Sequence, residues 1–374
     1  MSANKDKRIK VLLVFGTRPE AIKMAPVIQA MRRRADRFEV KVCVTAQHRS
    51  MLDHSLKLFE INPDHDLDIM SEDQSPSQVA AAVLTKLESV LREEQPDWLL
   101  IQGDTTTAAA SALAGYHAHL RIAHIEAGLR TENKWHPFPE EMNRRIVTLL
   151  ADLHFAPTEI ARQNLLAEGV STGRILVTGN PVIDALKQML QRPAPANVSS
   201  LVDGLPTILV TAHRRENFGQ PLENICRALR EIASRYRGRL RIVYPVHPNP
   251  QVDGPVRQLL DGVEGIMLRG PLDYLSMAHL AQQSYAIVTD SGGLQEEAAS
   301  LGRPVLVLRK VTERPEVVSA GVARVVGLET EIIVAAISEL WEDQQTYRSM
   351  SVPTDVYGDG RAGDRIRDAL IDFK

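Results

Sequence analysis

Cysteine is nearly absent. Cys43 and Cys226 are the two in 374 residues, far apart and set among apolar neighbours. That excludes a disulfide framework and leaves no paired thiols for zinc. Two small buried hydrophobes in a reducing compartment are the expectation. A basic excess is missing too, since 44 Lys and Arg face 47 Asp and Glu for a net charge of −3. Nucleic-acid partners are therefore not expected. No apolar run approaches the roughly 20 residues that span a bilayer. Met1 to Lys10 is polar and charged, without the apolar core of a signal peptide. The reading is a cytoplasmic protein with no membrane partner. Glycine-rich cofactor signatures are also missing: the first strand candidate is followed by neither GxGxxG nor a Walker pattern, and no Gly-x-Ser-x-Gly elbow occurs.

What is present is a rhythm. Short apolar runs alternate with helical patterns: Val11 to Phe15, Val40 to Thr45, Trp98 to Gln102, Arg121 to Ile125, Leu153 to Ala156 and Ile175 to Thr178 read as strands. Gln191 to Pro206 carries three prolines and little periodicity, and reads as a connection between domains. The rhythm then restarts with Thr207 to Thr211, Leu240 to Val246, Gly265 to Leu268, Ala286 to Thr289, Pro304 to Leu308 and Ala323 to Val326. Arg361 to Phe373 looks like a last amphipathic helix. Such alternation predicts βαβ units, parallel sheets and two α/β halves. Open parallel sheets bind ligands beyond the carboxyl ends of their strands, so functional residues are sought just after each run.

Several candidates sit there. Phe15-Gly16-Thr17-Arg18 places a cation past the first strand, and Lys23 follows; a guanidinium suits phosphate oxygens. Asp104 follows the strand ending at Gln102, Glu126 follows the strand ending at Ile125, and Glu140 starts a helix with Arg144 close behind. Crowded carboxylates are equipped for proton transfer at carbon. Asp104 as a helix cap and Glu140 as a helix-start acid are the plainer alternatives. An acid at the end of a buried strand, as Glu126 is, has no such excuse. In the second half, Thr289-Asp290-Ser291-Gly292-Gly293 turns from strand into helix, offering backbone N–H groups to an anion, and Glu297 lies one turn on. His213 and Arg214 follow one strand and His247 another. Asp64-His65-Asp66-Leu67-Asp68 superficially resembles an acidic metal clamp, but a solvated acidic loop is favoured. His117, His119 and His124 lack zinc spacing, so no metal is expected.

The motifs Phe15–Pro26, Gly103–Thr107, Glu126–Thr131, Pro137–Arg144, Phe155–Thr158, Thr178–Leu186, Ala212–Gly219, Thr289–Glu297, Thr312–Glu316 and Tyr357–Gly360 resemble, in order, the non-hydrolysing UDP-N-acetylglucosamine 2-epimerases. The likeness runs over about residues 9 to 368. It implies an α/β protein of GT-B fold: two Rossmann-like doubly wound domains with an interdomain cleft. The first would span 1–182, with the helix 361–374 packing back on it, and the second 183–360. It also implies a homodimer, no cofactor, and interconversion of UDP-GlcNAc and UDP-ManNAc through 2-acetamidoglucal.

By resemblance Asp104, Glu126 and Glu140 are catalytic, with Lys23 and His213. Arg18, Arg144, Ser291, Gly292, Gly293 and Glu297 would hold UDP. Gln47, His48, Gln74, Arg214 and His247 match an activating second UDP-GlcNAc site. Ser50 and Asp73 depart from the family pattern there, and an acid near a diphosphate repels it, so weak or absent activation is expected. A relative acting on a diacetamido uronic acid, a hydrolysing epimerase and a GT-B glycosyltransferase are the rival readings.

Overall fold

The first strand, β1 (Ile9–Phe15), is buried along Val11–Phe15, as an unbroken apolar run must be when both sheet faces are covered. The computed structural model describes residues 8–46, 49–71, 74–202 and 204–373, without side chains at 49–51. Gln47, His48 and Asp73 lie outside the described residues. Among those described, β1 is joined by β2 (Phe38–Val44), β3 (His65–Asp66), β4 (Trp98–Gln102), β5 (Arg121–Ile125), β6 (Leu153–Ala156) and β7 (Ile175–Val177) in a parallel sheet ordered β3-β2-β1-β4-β5-β6-β7. A second parallel sheet is built from β8 (Thr207–Thr211), β9 (Arg241–Pro245), β10 (Ile266–Arg269), β11 (Ala286–Thr289), β12 (Val305–Val307) and β13 (Ala323–Val325), ordered β10-β9-β8-β11-β12-β13. Both follow the doubly wound order in which the chain reverses direction beside the first strand. The switch points are therefore β1/β4 and β8/β11.

The helices follow from apolar spacing. Val79, Val83, Leu87 and Val90 recur at three- and four-residue steps along Pro76–Glu94 and are buried, packing with Leu12, Val14, Leu99 and Ile101. Leu222, Ile225, Leu229 and Ile232 do the same along Gln220–Arg235 over Val210, Ile242 and Tyr244. Two compact units result, Met1–Ala185 with Tyr357–Lys374, and Leu186–Val356. The C-terminal helix Ala362–Asp372 lies on Arg18–Arg32 in the first unit. A Cβ at Gly363 would stand 2.8 Å from the Pro26 carbonyl oxygen, so the two helices meet backbone to backbone.

Two expectations are corrected. Gln191–Pro206 is not a bare connection. It contains the helix Ala196–Val202, whose Val198 and Leu201 are buried against Tyr274–Gln283, and it belongs wholly to the second unit. The boundary falls before this segment, between Ala185 and Leu186 inside the helix Pro181–Leu190, three residues after the 182/183 that the resemblance implied. Nor is Asp64–Asp68 a solvated loop throughout. His65 and Asp66 form β3 beside Cys43 and Val44. Asp64 accepts the Val42 N–H at 2.9 Å, and the His65 ring lies 2.6 Å from Glu94. Among the described residues no helix is long and apolar enough to cross a membrane.

Candidate functional site

Candidate residues of the first unit gather at its switch point. Thr17 and Glu20 form a capping box that starts the helix Arg18–Arg32. Glu20 is buried. It accepts the Gly16 N–H at 3.0 Å, the Thr17 N–H at 2.8 Å and the Thr105 hydroxyl at 2.7 Å. Thr105 in turn caps the helix Thr106–His117 through Ala108 N–H. One carboxylate thus ties together the loops after β1 and β4. Burial pushes Glu20 above the ordinary carboxylate range, against the pull of Thr105, Gly16 and Thr17. Gly16 is required by close approach: a Cβ there would run into the Thr45 hydroxyl.

Asp104 is not the helix cap, because Thr105 is. Its carboxylate accepts Arg144 Nη2 at 2.6 Å, and its backbone carbonyl accepts Asn143 Nδ2 at 2.9 Å. Those two donors lie one turn inside the helix Glu140–Leu150, so Asp104 and Glu140 are held at the same rim. Arg144 also lies 3.4 Å from the buried Glu141. Here it positions Asp104, a task the sequence did not suggest for it. Arg18 is half-buried at the first position of its helix.

Glu126 follows β5 with a φ of +65° and is buried. Left-handed backbone in a residue other than glycine costs of order 1–3 kcal/mol and persists where the surroundings over-determine it. They do so here. Lys23 Nζ lies 2.6 Å from both carboxylate oxygens, Asn180 Nδ2 donates to Oε1 at 2.9 Å, and Gln102 Nε2 donates to Oε2. Lys23, expected among the catalytic residues, is thus bound to Glu126. A Cβ at Gly103 would lie 3.7 Å from Glu126 Oε2, so the Asp104 turn passes beside it.

His124 sits below this turn and donates Nε2–H to the Gly103 carbonyl at 2.8 Å, with His154 as its neighbour on β6. Burial, reinforced by His154, pushes His124 from 6.5 to about 3, and burial and Arg174 push His154 to about 4. Both are neutral in the folded state and protonate near 6.5 when unfolded. Their contribution to stability is complete above pH 6.5 and is lost as pH falls toward 4, by about 1.4 kcal/mol per pH unit for each histidine. The urea midpoint should therefore drop steeply between about pH 5.5 and 4.5. In His124→Gln, which keeps a donor for Gly103, the slope should shrink by one histidine's share. An unchanged slope would refute this assignment.

In the second unit the switch point is organised by Asp290, fully buried after β11. Its Oδ2 accepts the backbone N–H groups of His213 and Arg214, each at 2.7 Å, and Asn217 Nδ2 at 3.0 Å. His213 Nδ1 lies 3.2 Å from Asp290 Oδ1, and the His213 ring stacks on His247 at 5.4 Å between centroids. Burial raises Asp290, but the His213 side chain and the backbone donors outweigh it, leaving the group below its ordinary value. His247 Nδ1 accepts Asn249 N–H at 3.1 Å, which leaves Nε2 as the protonated nitrogen. The helix Gly292–Ser300 starts without a side-chain cap from Ser291, so its first turn presents backbone donors and the positive end of its dipole. Gly292 leaves room for Arg314, whose guanidinium would be 3.3 Å from a Cβ there. Arg314 is ion-paired with Glu296. Glu297 accepts the Tyr274 hydroxyl at 2.7 Å. Gln74, in the first unit, donates to the Ile69 carbonyl at 2.8 Å. Among the described residues, no three His, Cys, Asp or Glu are grouped to hold a metal ion.

Glu20, Gln102, Asn180, Asp290 and Arg314 were not singled out from sequence. Thr17-x-x-Glu20 carried the capping-box signal. Asp290 carried the same signal as Glu126, an acid at the end of a buried strand. Nothing local marked Arg314, since its partner lies 18 positions away.

The family model for UDP-N-acetylglucosamine 2-epimerase matches residues 29–371. The UDP-N-acetylglucosamine 2-epimerase of Yersinia pestis is 50% identical over 371 residues, covering 97% of this chain and 98% of its own length. That of Escherichia coli K12 is 48% identical at 97% and 98% coverage. The structure of the Neisseria meningitidis UDP-GlcNAc 2-epimerase bound to UDP-GlcNAc superposes with a TM-score of 0.93 at 44% identity, covering 97% of this chain and all of that one. The Methanocaldococcus jannaschii enzyme in complex with UDP-GlcNAc and UDP gives 0.85 at 32%, with 97% and 99% covered. The two doubly wound sheets are those of the GT-B fold class, and the chain belongs to the UDP-N-acetylglucosamine 2-epimerase family.

Proposed function

We propose that this chain interconverts UDP-N-acetylglucosamine and UDP-N-acetylmannosamine by eliminating UDP and adding it back. The observation that carries the reading is the buried Glu126 carboxylate, held at the rim that also carries Asp104 and Glu140. Inverting C2 requires the C2–H bond to break. When a carboxylate takes that proton, the electron pair forms the C1=C2 bond and the C1–O bond to the diphosphate breaks. This yields 2-acetamidoglucal and UDP. Return of a proton to the other face of C2, with UDP re-adding at C1, completes the epimerisation. The departing diphosphate is met by Arg18, His213 and the helix start at Ser291-Gly292-Gly293, and Glu297 holds the nucleoside. Preformed donors of this kind favour the charge that develops on the leaving group.

The enzyme works in the cytoplasm as a homodimer. Trp135, Phe138, Met142, Ile146 and Leu149 form an exposed apolar row that a second copy covers. Its product feeds cell-surface polysaccharide. Activation by a second UDP-GlcNAc is weak or absent. The reaction is tested by NMR in deuterated water. UDP-ManNAc formed there should carry deuterium at C2, with no need for added NAD and with activity that survives EDTA. Full retention of the original C2 proton would sink the mechanism.

A further inference from the structure

Two sequence motifs, Thr178–Leu186 and Tyr357–Gly360, touch no part of the chemistry above, yet they converge on it. Asn180 is fully buried. Its backbone N–H donates to the Tyr357 carbonyl at 2.7 Å, and its Oδ1 accepts Val182 N–H at 3.1 Å. That second bond fixes which end of the amide is which, so Nδ2 must face outward, and it donates to Glu126 Oε1 at 2.9 Å. The segment returning from the far end of the chain seats this residue. Gly179 and Gly358 have φ of +84° and +105°, and a Cβ on either would come within 2.9 Å of the other's Cα. Only two glycines allow the strands of chain to cross this closely.

We infer that Asn180, clamped by Tyr357-Gly358 and assisted by Gln102, is a positioning residue that orients the Glu126 carboxylate toward the sugar. The inference rests on Glu126 acting in the proposed reaction. Its physical basis is that the donors around Glu126 divide the work. Lys23 supplies charge, whereas Gln102 and Asn180 supply direction without charge. Titratable groups facing Glu126 include Lys23, from the helix Arg18–Arg32, and the buried His124 on the strand before it. An amide at each remaining oxygen holds the carboxylate in its strained backbone setting and adds nothing that could take its proton.

Asn180→Asp tests this. Val182 N–H would still fix one oxygen, placing the other about where Nδ2 now stands, beside Glu126 Oε1. Two carboxylates that close share a proton and titrate as a pair. The limb of the kcat–pH profile governed by Glu126 should therefore move to higher pH by at least about one unit. Asn180→Ala should lower kcat roughly 10- to 100-fold with KM changed less than about threefold, as for a misaimed group rather than a lost binding contact. A purely structural Asn180 would lower the folded fraction in Asn180→Ala and leave kcat of the folded enzyme within about threefold, which would overturn the inference. If the Asn180 variants do not fold, Gln102→Glu applies the same test to Oε2 from β4, and an unshifted profile there overturns it as well. Glu126→Gln separates the two layers. Near-normal turnover in that variant removes Glu126 from the chemistry. A dead Glu126→Gln beside an unshifted Asn180→Asp removes the positioning role alone.

Discussion

Glu126→Gln is expected to lower epimerisation by at least roughly 10²-fold, the low end for a lost acid–base group, while UDP still binds. The substitution preserves shape. It converts an acceptor-only carboxylate into an amide whose NH2 must face Lys23, Gln102 or Asn180, all donors. Part of the loss will therefore be misorientation and part the missing proton acceptor. Asp104→Asn faces a milder conflict, since one of its oxygens can still accept from Arg144, and Glu140→Gln changes a half-buried group at a helix start. All three should fall by at least roughly 10²-fold if each handles a proton. The diphosphate contacts proposed at Ser291–Gly293 belong to the second unit, so UDP affinity by titration calorimetry should stay within a few-fold. Near-normal turnover in Glu126→Gln would take it out of the site.

The second large effect should come from a residue that never meets substrate. Asp290→Asn should cut kcat/KM by roughly 10²–10³-fold, by analogy with other carboxylates that orient a histidine. Asp290 holds His213 twice, by its backbone N–H and at Nδ1. An asparagine oxygen can still take the backbone donors, but its NH2 then faces Nδ1, which must accept. The ring is driven to the other tautomer, and the negative charge beside it is lost. UDP binding should weaken along with turnover, unlike in the Glu126 variant. Asp290→Leu would be less informative, because three donors would lose their acceptor at about 1–3 kcal/mol each, a large share of a typical 5–15 kcal/mol stability. Full activity and UDP affinity in Asp290→Asn would show that His213 is oriented by its stacking on His247 alone.

The sheets were readable because buried parallel strands are long apolar runs between glycine-rich turns. Twelve of the runs marked in the sequence correspond to strands of the structure. β3 was not readable: two residues, one of them acidic, carry no periodicity, and they are strand only because Cys43 and Val44 offer a ladder. The helix Ala196–Val202 was hidden by the prolines around it, although Pro195 begins its first turn. The residues proposed for the chemistry were visible in kind, as acids and cations after strands. Their partnerships were not. Lys23 lies 103 positions from Glu126, and Arg144 lies 40 from Asp104. Spacing along the chain says nothing about pairs that only the sheet order brings together. Nothing in the spacing paired Lys23 or Arg144 with a carboxylate, and each is engaged with one.

The Tyr357–Gly358 clamp has a consequence for how the protein is made. Leu186–Val356 is one uninterrupted stretch and has all of its own sheet as soon as it leaves the ribosome. The first unit does not. Its seven strands are synthesised early, but Asn180 waits for Tyr357, and the helix Arg18–Arg32 waits for Ala362–Asp372. At 5–20 residues per second, the intervening stretch takes roughly ten to thirty seconds to translate. During that interval the nascent first unit holds an exposed apolar helix face and a Glu126 cage short of its Asn180 anchor. The first unit therefore closes only after residues 357–372 are made, and a variant truncated just before Tyr357 should keep a well-formed second unit beside a first unit that lacks its clamp.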